Sequence, residues 1–455
     1  MKTTTMMQMG ALALSLVATG VMAAITPQEA AQLGTTLTPL GGQMEANADG
    51  SIPAWTGGLK PGAAPMERGF LGNPFEGDKP LFTITAANVA QYKDKLTPGQ
   101  QAMFKRYPDS YKIPVYKSQR TASSPQSIYD EVKKTALTAE LINDGNGLNS
   151  FSDAHYYPFP IPKVGVEVVF NHSTRYRGQN FRRETAQAAP QANGSYTAVT
   201  FEEVAGFPRF VKGSDKERSS NVLYYYKQRV TGPARMAGNV LLAHETIDQV
   251  NEPRMAWIYN SGQRRVRRAP QVAYDGPGTA ADGLRTSDNA DLFNGAPDRY
   301  DWKLVGKQEM YVPYNNYKLA SPKLKYDDII RPGHINQDLT RYELHRVWHV
   351  VATLKPGQRH IYAKRDMYFD EDSWEALEVD HYDGRGQLWR VGEGYAINDY
   401  QQGLSNYAAI GMYDLIAGRY LVSNLSNEAK QGAQYGAEVS MNEFTPAALR
   451  NAGVR

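Results

Sequence analysis

Apolar and polar positions alternate differently in the two parts of the chain. From Lys163 onward, short runs with a period of two and many Val, Thr and Tyr residues predict strands. They cover Val164 to Phe170, Ser195 to Glu203, Val222 to Val230, Asn239 to Ile247, Met255 to Asn260, Val305 to Tyr311, Tyr342 to Leu354, Arg359 to Asp370, Ser373 to His381 and Gly386 to Val391. Most connections are short, as at Ser261-Gly262 and Pro356-Gly357, so the sheet is expected to be chiefly antiparallel. Helix starts stand out elsewhere. A hydroxyl residue precedes Pro at Thr26-Pro27, Thr97-Pro98, Ser124-Pro125 and Thr445-Pro446. The hydroxyl accepts from the free amides of a first turn, Pro fills the position that needs no donor, and Glu29 and Gln100 complete reciprocal capping boxes. The first helix should stop at Gly34, and another, about Ala408 to Ala417, at Gly418. Leu40 to Phe82 is rich in Gly and Pro and reads as an extended segment lying over the body. The fold class is therefore α+β: a large, mainly antiparallel sheet with helices packed on or in it. Residues 24–455 are read as a single large domain, with a helical and extended part over 24–150, the sheet over 160–400 and helices over 401–455.

Composition narrows the function classes. Cysteine is absent, which excludes disulfides, thiolate metal sites and a lipid-anchoring cysteine. A formal charge of +3 spread along the chain offers no basic arm for nucleic acid. Tyr, at 29 residues, reinforces the sheet reading. Lys2, the apolar run Gly10 to Gly20 and the small-residue site Val21-Met22-Ala23-Ala24 form a signal-peptide pattern over 1–23, cut after Ala23, which places the mature chain in the periplasm. That run is too short to cross a bilayer.

Candidate chemistry is sparse. No nucleophile elbow, dinucleotide or phosphate loop, or zinc-protease motif occurs, so no catalytic residue, cofactor or metal is assigned. His345 and His349 are four apart in a strand pattern, roughly 13 Å, too far for one metal. Glu45 to Gly50 imitates the start of a calcium loop but carries Thr56 where a bidentate Glu is needed, so Asx turns at Asn47 and Asp49 are expected instead. In Arg264 to Arg268, alternation puts Arg265 and Arg267 on one face, as an anionic head-group site or as partners of Asp282, Asp288 and Asp291. Two-residue turns at Pro356-Gly357 and Glu371-Asp372 would align Trp348, Arg365 and Glu378 in one row. That row reads as a structural ion pair stacked on an indole or as the polar end of a ligand site.

Several strings together resemble a large family of Gram-negative periplasmic proteins built on a domain of unknown function. They are Glu29 to Gly34, Asn47 to Gly58, Pro158 to Pro162, Gln263 to Pro270, Arg299 to Leu304, His345 to Trp348 and Tyr382 to Trp389. The resemblance implies a fold similar to the lipoprotein carrier LolA, a curved half barrel of antiparallel strands wrapped around helices with an apolar cavity. It also implies work beside an outer-membrane barrel protein and an inner-membrane exporter of the resistance-nodulation-division (RND) type. The function expected is a non-enzymatic carrier or adaptor for an apolar small molecule or lipid, with Trp348, Arg365, Glu378, Arg265 and Arg267 as ligand-binding candidates. A periplasmic hydrolase or lyase is the alternative, and an outer-membrane barrel is disfavoured by the helical first third and by an end, Gly453 to Arg455, that lacks an aromatic residue.

Export makes a direct prediction. N-terminal sequencing of protein recovered from the periplasm should begin Ala24-Ile25-Thr26, and a retained Met1 in that pool would refute the cut.

Overall fold

The computed structural model describes residues 24–149, 156–215, 220–270 and 272–453; the expected signal peptide, 1–23, lies outside them. Helices begin where the hydroxyl-proline pairs put them. In α1 (Pro27–Ala30) the Glu29 amide donates to Thr26 Oγ1 at 3.2 Å and the Thr26 amide to the Glu29 carboxylate at 2.7 Å. In α2 (Pro98–Arg106) Thr97 and Gln100 make the same exchange at 3.0 Å each way. Helix α3 (Gln126–Thr135) follows Ser124-Pro125 without a side-chain cap. Helix α4 (Gly165–Ser173) stands where a strand was expected over Val164 to Phe170. Seven of its nine residues, Glu167, Asn171 and His172 among them, are buried, so the run is enclosed on nearly every side and carries neither period. Short α5 (Tyr326–Ile329) and α6 (Ala448–Gly453) complete the set, α6 after Thr445-Pro446.

The strands are β1 (Phe82–Ile84), β2 (Ile113–Tyr116), β3 (Leu141–Ile142), β4 (Gly147–Leu148), β5 (Phe181–Ala188), β6 (Val199–Gly206), β7 (Val222–Gly232), β8 (Val240–Thr246) and β9 (Met255–Asn260). They continue as β10 (Arg265–Arg268), β11 (Tyr300–Pro313), β12 (Tyr342–Leu354), β13 (Lys364–Asp370), β14 (Ala376–Tyr382), β15 (Leu388–Asp399), β16 (Leu404–Asp414), β17 (Arg419–Leu425) and β18 (Gln434–Tyr435). All but β3 and β4 join one curved sixteen-stranded sheet in the order β1-β2-β12-β13-β14-β15-β16-β17-β5-β6-β7-β8-β9-β10, with β11 beside β12 and β18 beside β5. Every pairing is antiparallel except β2 with β12, and among the described residues the sheet does not close into a barrel. Bulges such as those at Leu304/Gly306, Tyr395/Ala396 and Thr200/Phe201 add local twist, which lets so wide a sheet curl.

The helix expected over Ala408 to Ala417 is instead most of β16, and β17 follows it, so the C-terminal part is sheet before it is helix. Gly418 does take a positive φ of 63°, but it closes the turn in which Asp414 faces Arg419. Strand β16 lies between β15 and β17, and buried residues alternate weakly along it, which is why its Ala-rich sequence imitated a helix.

Register is the second correction. The loop after β12 is longer than two residues: Leu354 pairs with Ala363, Trp348 faces Phe369 and Arg365 faces Ala352. The next turn spans Glu371 to Glu375, with Trp374 at φ 61°, and Arg365 faces His381 while Glu378 faces Tyr368. An odd-numbered slip changes faces, so Arg365 and Glu378 lie on opposite sides of the sheet. Arg365 bonds Asp288 at 2.7 Å and lies over the rings of Phe293, Tyr300 and Tyr362, whereas Trp348 stacks on Trp374. Glu378 accepts from Gln100 Nε2 at 2.9 Å, faces Glu393 across β14 and β15, and has no cation partner among the described residues.

Two stability predictions follow from this placement. Burial alone would raise the Asp288 carboxyl, but Arg365 and His360 outweigh it and hold it well below the usual range. Asp288→Ala would leave Arg365 buried and unpaired, and should cost about 3 to 5 kcal/mol in denaturant unfolding; a loss under about 1 kcal/mol would mean that the pair is solvated. On the other face, burial, then Glu393 and Asp380, push the Glu378 carboxyl up, and burial pushes Asp380 up to about 7. Such groups hold more protons folded than unfolded, so their contribution is intact below about pH 4 and is lost as pH rises through the raised values. Glu378→Gln keeps an acceptor for Gln100, so it should raise the unfolding midpoint relative to wild type at about pH 8 and lose that gain toward about pH 4. Equal gains at both would contradict a buried titrating carboxyl.

Candidate functional site

Alternate residues of four neighbouring strands project to one side and line a cavity of about 240 Å³. Strand β5 supplies Phe181, Arg183, Thr185 and Gln187; β6 supplies Phe201, Glu203 and Ala205; β7 supplies Tyr224, Tyr226 and Gln228; β8 supplies Leu241, Ala243 and Glu245. Arg175 and Arg177, just past the end of α4, close one side, Tyr407 and Ile410 of β16 another, and the segment from Val272 to Asn294 brings Arg285 and Asp291. Fully buried His172 anchors the end of α4: its Nε2 lies 3.0 Å from the Asp291 carbonyl, and its Nδ1 lies 3.0 Å from the Trp374 carbonyl and 3.3 Å from the Ala376 amide. Burial, and then Arg175, lower its pKa to about 3, so it stays uncharged.

Five arginines meet three carboxylates around this space. Arg183 bonds Glu203 at 2.6 Å, Arg254 bonds Glu245 at 2.6 Å, and Arg175 and Arg177 share Asp291 at 2.8 and 2.9 Å. Glu203 also accepts from Tyr226 at 2.6 Å and Gln228 at 2.9 Å. Arg285 has no ion pair or side-chain hydrogen bond among the described residues, and its Nε is buried without a partner. Burial lowers its pKa, whereas the pKa values of Arg175, Arg183 and Arg254 are raised by their carboxylates against the same burial. Arginine nonetheless keeps its charge, so a cation faces the cavity.

The segment that carries Arg285 is fastened down. Gln187 donates to the carbonyls of Thr279 and Ala280 at 2.8 Å, Arg390 to that of Gly283 at 2.9 Å, and Arg419 bonds Asp282 at 2.6 Å. Gly278 passes close beneath the guanidinium, and a Cβ there would sit 3.2 Å from Arg285 Cζ. A larger hollow of about 470 Å³ lies among the loops around Phe70 and Lys318, but its arginine, Arg341, is already held by Asp78 and Glu343.

None of the five ligand-binding candidates selected from sequence lines the strand-walled cavity, although Asp291, expected as a partner for the β10 arginines, does. Trp348, Arg365 and Glu378 sit as described above; Arg265 and Arg267 are exposed on edge strand β10 and, with Arg264 and Arg268, have no ion pair among the described residues. The acids expected to pair with them are taken: Asp282 by Arg419, Asp288 by Arg365 and Asp291 by Arg175. Asp49 makes the expected Asx turn, the Ser51 amide donating to it at 2.9 Å, whereas Asn47 instead accepts from the Ile52 amide five residues on, at 2.8 Å. His345 does not meet His349. It gathers with Asp370 and Asp372, ligand-capable atoms lying within 4.8 Å of one another. Both Asp372 oxygens, however, are held by Arg120, at 2.6 and 2.8 Å, and Asp370 Oδ2 accepts from Tyr314 and Ser373. The cavity residues missed from sequence did leave a signal: Tyr224, Tyr226 and Gln228 recur with a period of two inside the expected strand Val222 to Val230, and Arg183, Thr185 and Gln187 recur likewise where no strand was expected.

Several known proteins are similar to this chain. The uncharacterised protein PA3922 of Pseudomonas aeruginosa is 62% identical over 457 aligned residues and 100% of both chains. A domain described as an outer membrane lipoprotein-sorting protein from Vibrio parahaemolyticus matches 63% of this chain and 98% of its own, at 13% identity and a TM-score of 0.43. A DUF1329 protein from Desulfovibrio piger matches 63% and 97% at 17% identity and a TM-score of 0.41, and a LolA superfamily protein from Nitrosomonas europaea matches 62% and 98% at 11% and 0.37. Residues 83–450 fit the family described as "Protein of unknown function (DUF1329)", and with so close a full-length relative the chain belongs to that family.

Proposed function

We propose that the protein is a non-enzymatic carrier that shelters a hydrophobic molecule in the cavity walled by β5 to β8. The observation that carries this reading is the cavity itself: inward positions of four adjacent strands leave space instead of packing, and Phe181, Phe201, Ala205, Phe207, Leu241 and Ala243 give it apolar wall. Side chains pack interiors to high density, so unfilled space lined by strands serves a ligand better than it serves stability. Each carboxylate of the wall is tied to an arginine, which favours binding over acid–base chemistry. The amino-terminal pattern supports work in the periplasm after cleavage behind Ala23, and a lipid or fatty acid received from or passed to membrane partners suits that compartment. An outer-membrane barrel protein and an RND-type exporter are the partners that the family resemblance suggests. Trp348, Arg365 and Glu378 act in this reading as structural residues, and Arg265 and Arg267 as a solvated edge.

The test is extraction. Organic extracts of protein purified from the periplasm should yield an apolar molecule in stoichiometric amount by mass spectrometry, and delipidated protein should take up added lipid. Several preparations empty of ligand, together with no uptake, would remove the carrier reading.

A further inference from the structure

We infer that the cavity receives a single-chain amphiphile with an acidic head group, a carboxylate or a phosphate, and that Arg285 receives its charge. This rests on the carrier reading and names the class of cargo.

The argument begins with charge. The three carboxylates of the cavity wall are spent: Glu203 serves Arg183, Tyr226 and Gln228, Asp291 serves Arg175 and Arg177, and Glu245 serves Arg254. Turning any of them to Arg285 would strand another arginine. Arg285 thus stands over the space with no protein acceptor, its Nε buried and unpartnered. Exposed arginines such as Arg265 lose nothing by being unpaired, because water solvates them; Arg285 is half-buried with its Nε cut off from water, so part of its hydration is lost with no anion in exchange, and an anion restores the balance.

The second strand of argument is preorganisation. Gln187, Arg390 and Arg419 fix the segment that presents Arg285, and the bare backbone of Gly278 leaves room for the guanidinium to lie against it. A cation held in place before the ligand arrives loses little conformational freedom on binding. The rest of the wall decides between a small anion and an amphiphile: the aromatic and aliphatic residues of β5, β6 and β8 offer nothing to an inorganic anion but cover an alkyl chain.

Titration calorimetry with decanoate, decyl phosphate, decanol and inorganic phosphate tests the assignment. At least one of the acidic amphiphiles should bind roughly ten- to a hundredfold more tightly than decanol, the range of one charge-assisted bidentate contact. That preference should vanish in Arg285→Met, survive in part in Arg285→Lys, and be accompanied by a higher unfolding midpoint of ligand-free Arg285→Met, since an unpaired, partly buried charge has been removed. Equal binding of decanol and both acids, a preference that persists in Arg285→Met, or a lowered midpoint in that variant would overturn the head-group assignment while leaving the carrier reading intact. Inorganic phosphate binding as tightly as decyl phosphate would overturn the amphiphile. If no chain-bearing probe binds at all, it is the carrier reading that fails.

Discussion

A guanidinium moved out of water must meet an anion, and in this protein that requirement decides where the irregular segments lie. Arg120 binds Asp372 and the carbonyls of Gln43, Met44 and Pro53, so one buried pair staples the extended segment onto the turn between β13 and β14. Arg175 joins the end of α4 to Glu375 in that same turn and to Asp291 above the cavity. Arg365 holds Asp288, and Arg390 spans Asp414 and the Gly283 carbonyl. The segment from Gly276 to Asn294 is therefore positioned by charges rooted in the sheet, without a helix or strand of its own beyond a single 3-10 turn. Breaking one partner of such a pair costs far more than the pair adds over an apolar replacement, which makes these contacts constraints on geometry more than sources of stability.

The opposite face of β14 and β15 solves the same problem with protons. Glu378, Asp380 and Glu393 are fully buried without a cation partner among the described residues, and Glu393 accepts from the hydroxyls of Tyr111, Tyr342 and Tyr395 at 2.9, 3.0 and 2.5 Å. Burial pushes each of these carboxyls upward, so protonation and tyrosine donors take the role that arginine plays across the sheet. Gln100 links this cluster to helix α2, since the residue that caps the helix through its carbonyl oxygen gives its amide to Glu378.

What could be read from sequence follows the range of the interaction responsible. Capping at Thr26 and Thr97 is local, and both boxes formed; Met255–Asn260 and Tyr342–Leu354 were bounded correctly, although the second is buried on both faces over its first half. Val164 to Phe170 and Ala408 to Ala417 were exchanged, the first being a buried helix and the second a strand with partners on both edges, because burial on several sides erases the period that tells them apart. The row of Trp348, Arg365 and Glu378 depended on two loop lengths, and one odd-numbered slip was enough to turn Glu378 to the other face. The cavity was the least legible part. Its wall alternates Arg, Glu, Tyr and Gln with Phe and Ala, and inward polarity looks like outward polarity until the neighbouring strands are known.

Arginines at β10 and at the cavity show why residue type alone could not point to the site. Arg265, Arg267 and Arg268 stand exposed on an edge strand, where unpaired charge opposes edge-to-edge association with another sheet and where solvent meets the electrostatic cost. Arg285 carries the same group into a space whose carboxylates are already committed, and there the identical charge becomes a demand for an anion from outside the chain. The difference lies in solvent access and in the count of local acids, neither of which is encoded in the residues next to it. A cluster of four basic residues in sequence drew attention to the edge, while the cavity arginine that lacks an ion pair among the described residues stands singly between Leu284 and Thr286, on a segment whose course is fixed by Gln187, Arg390 and Arg419 from three distant strands.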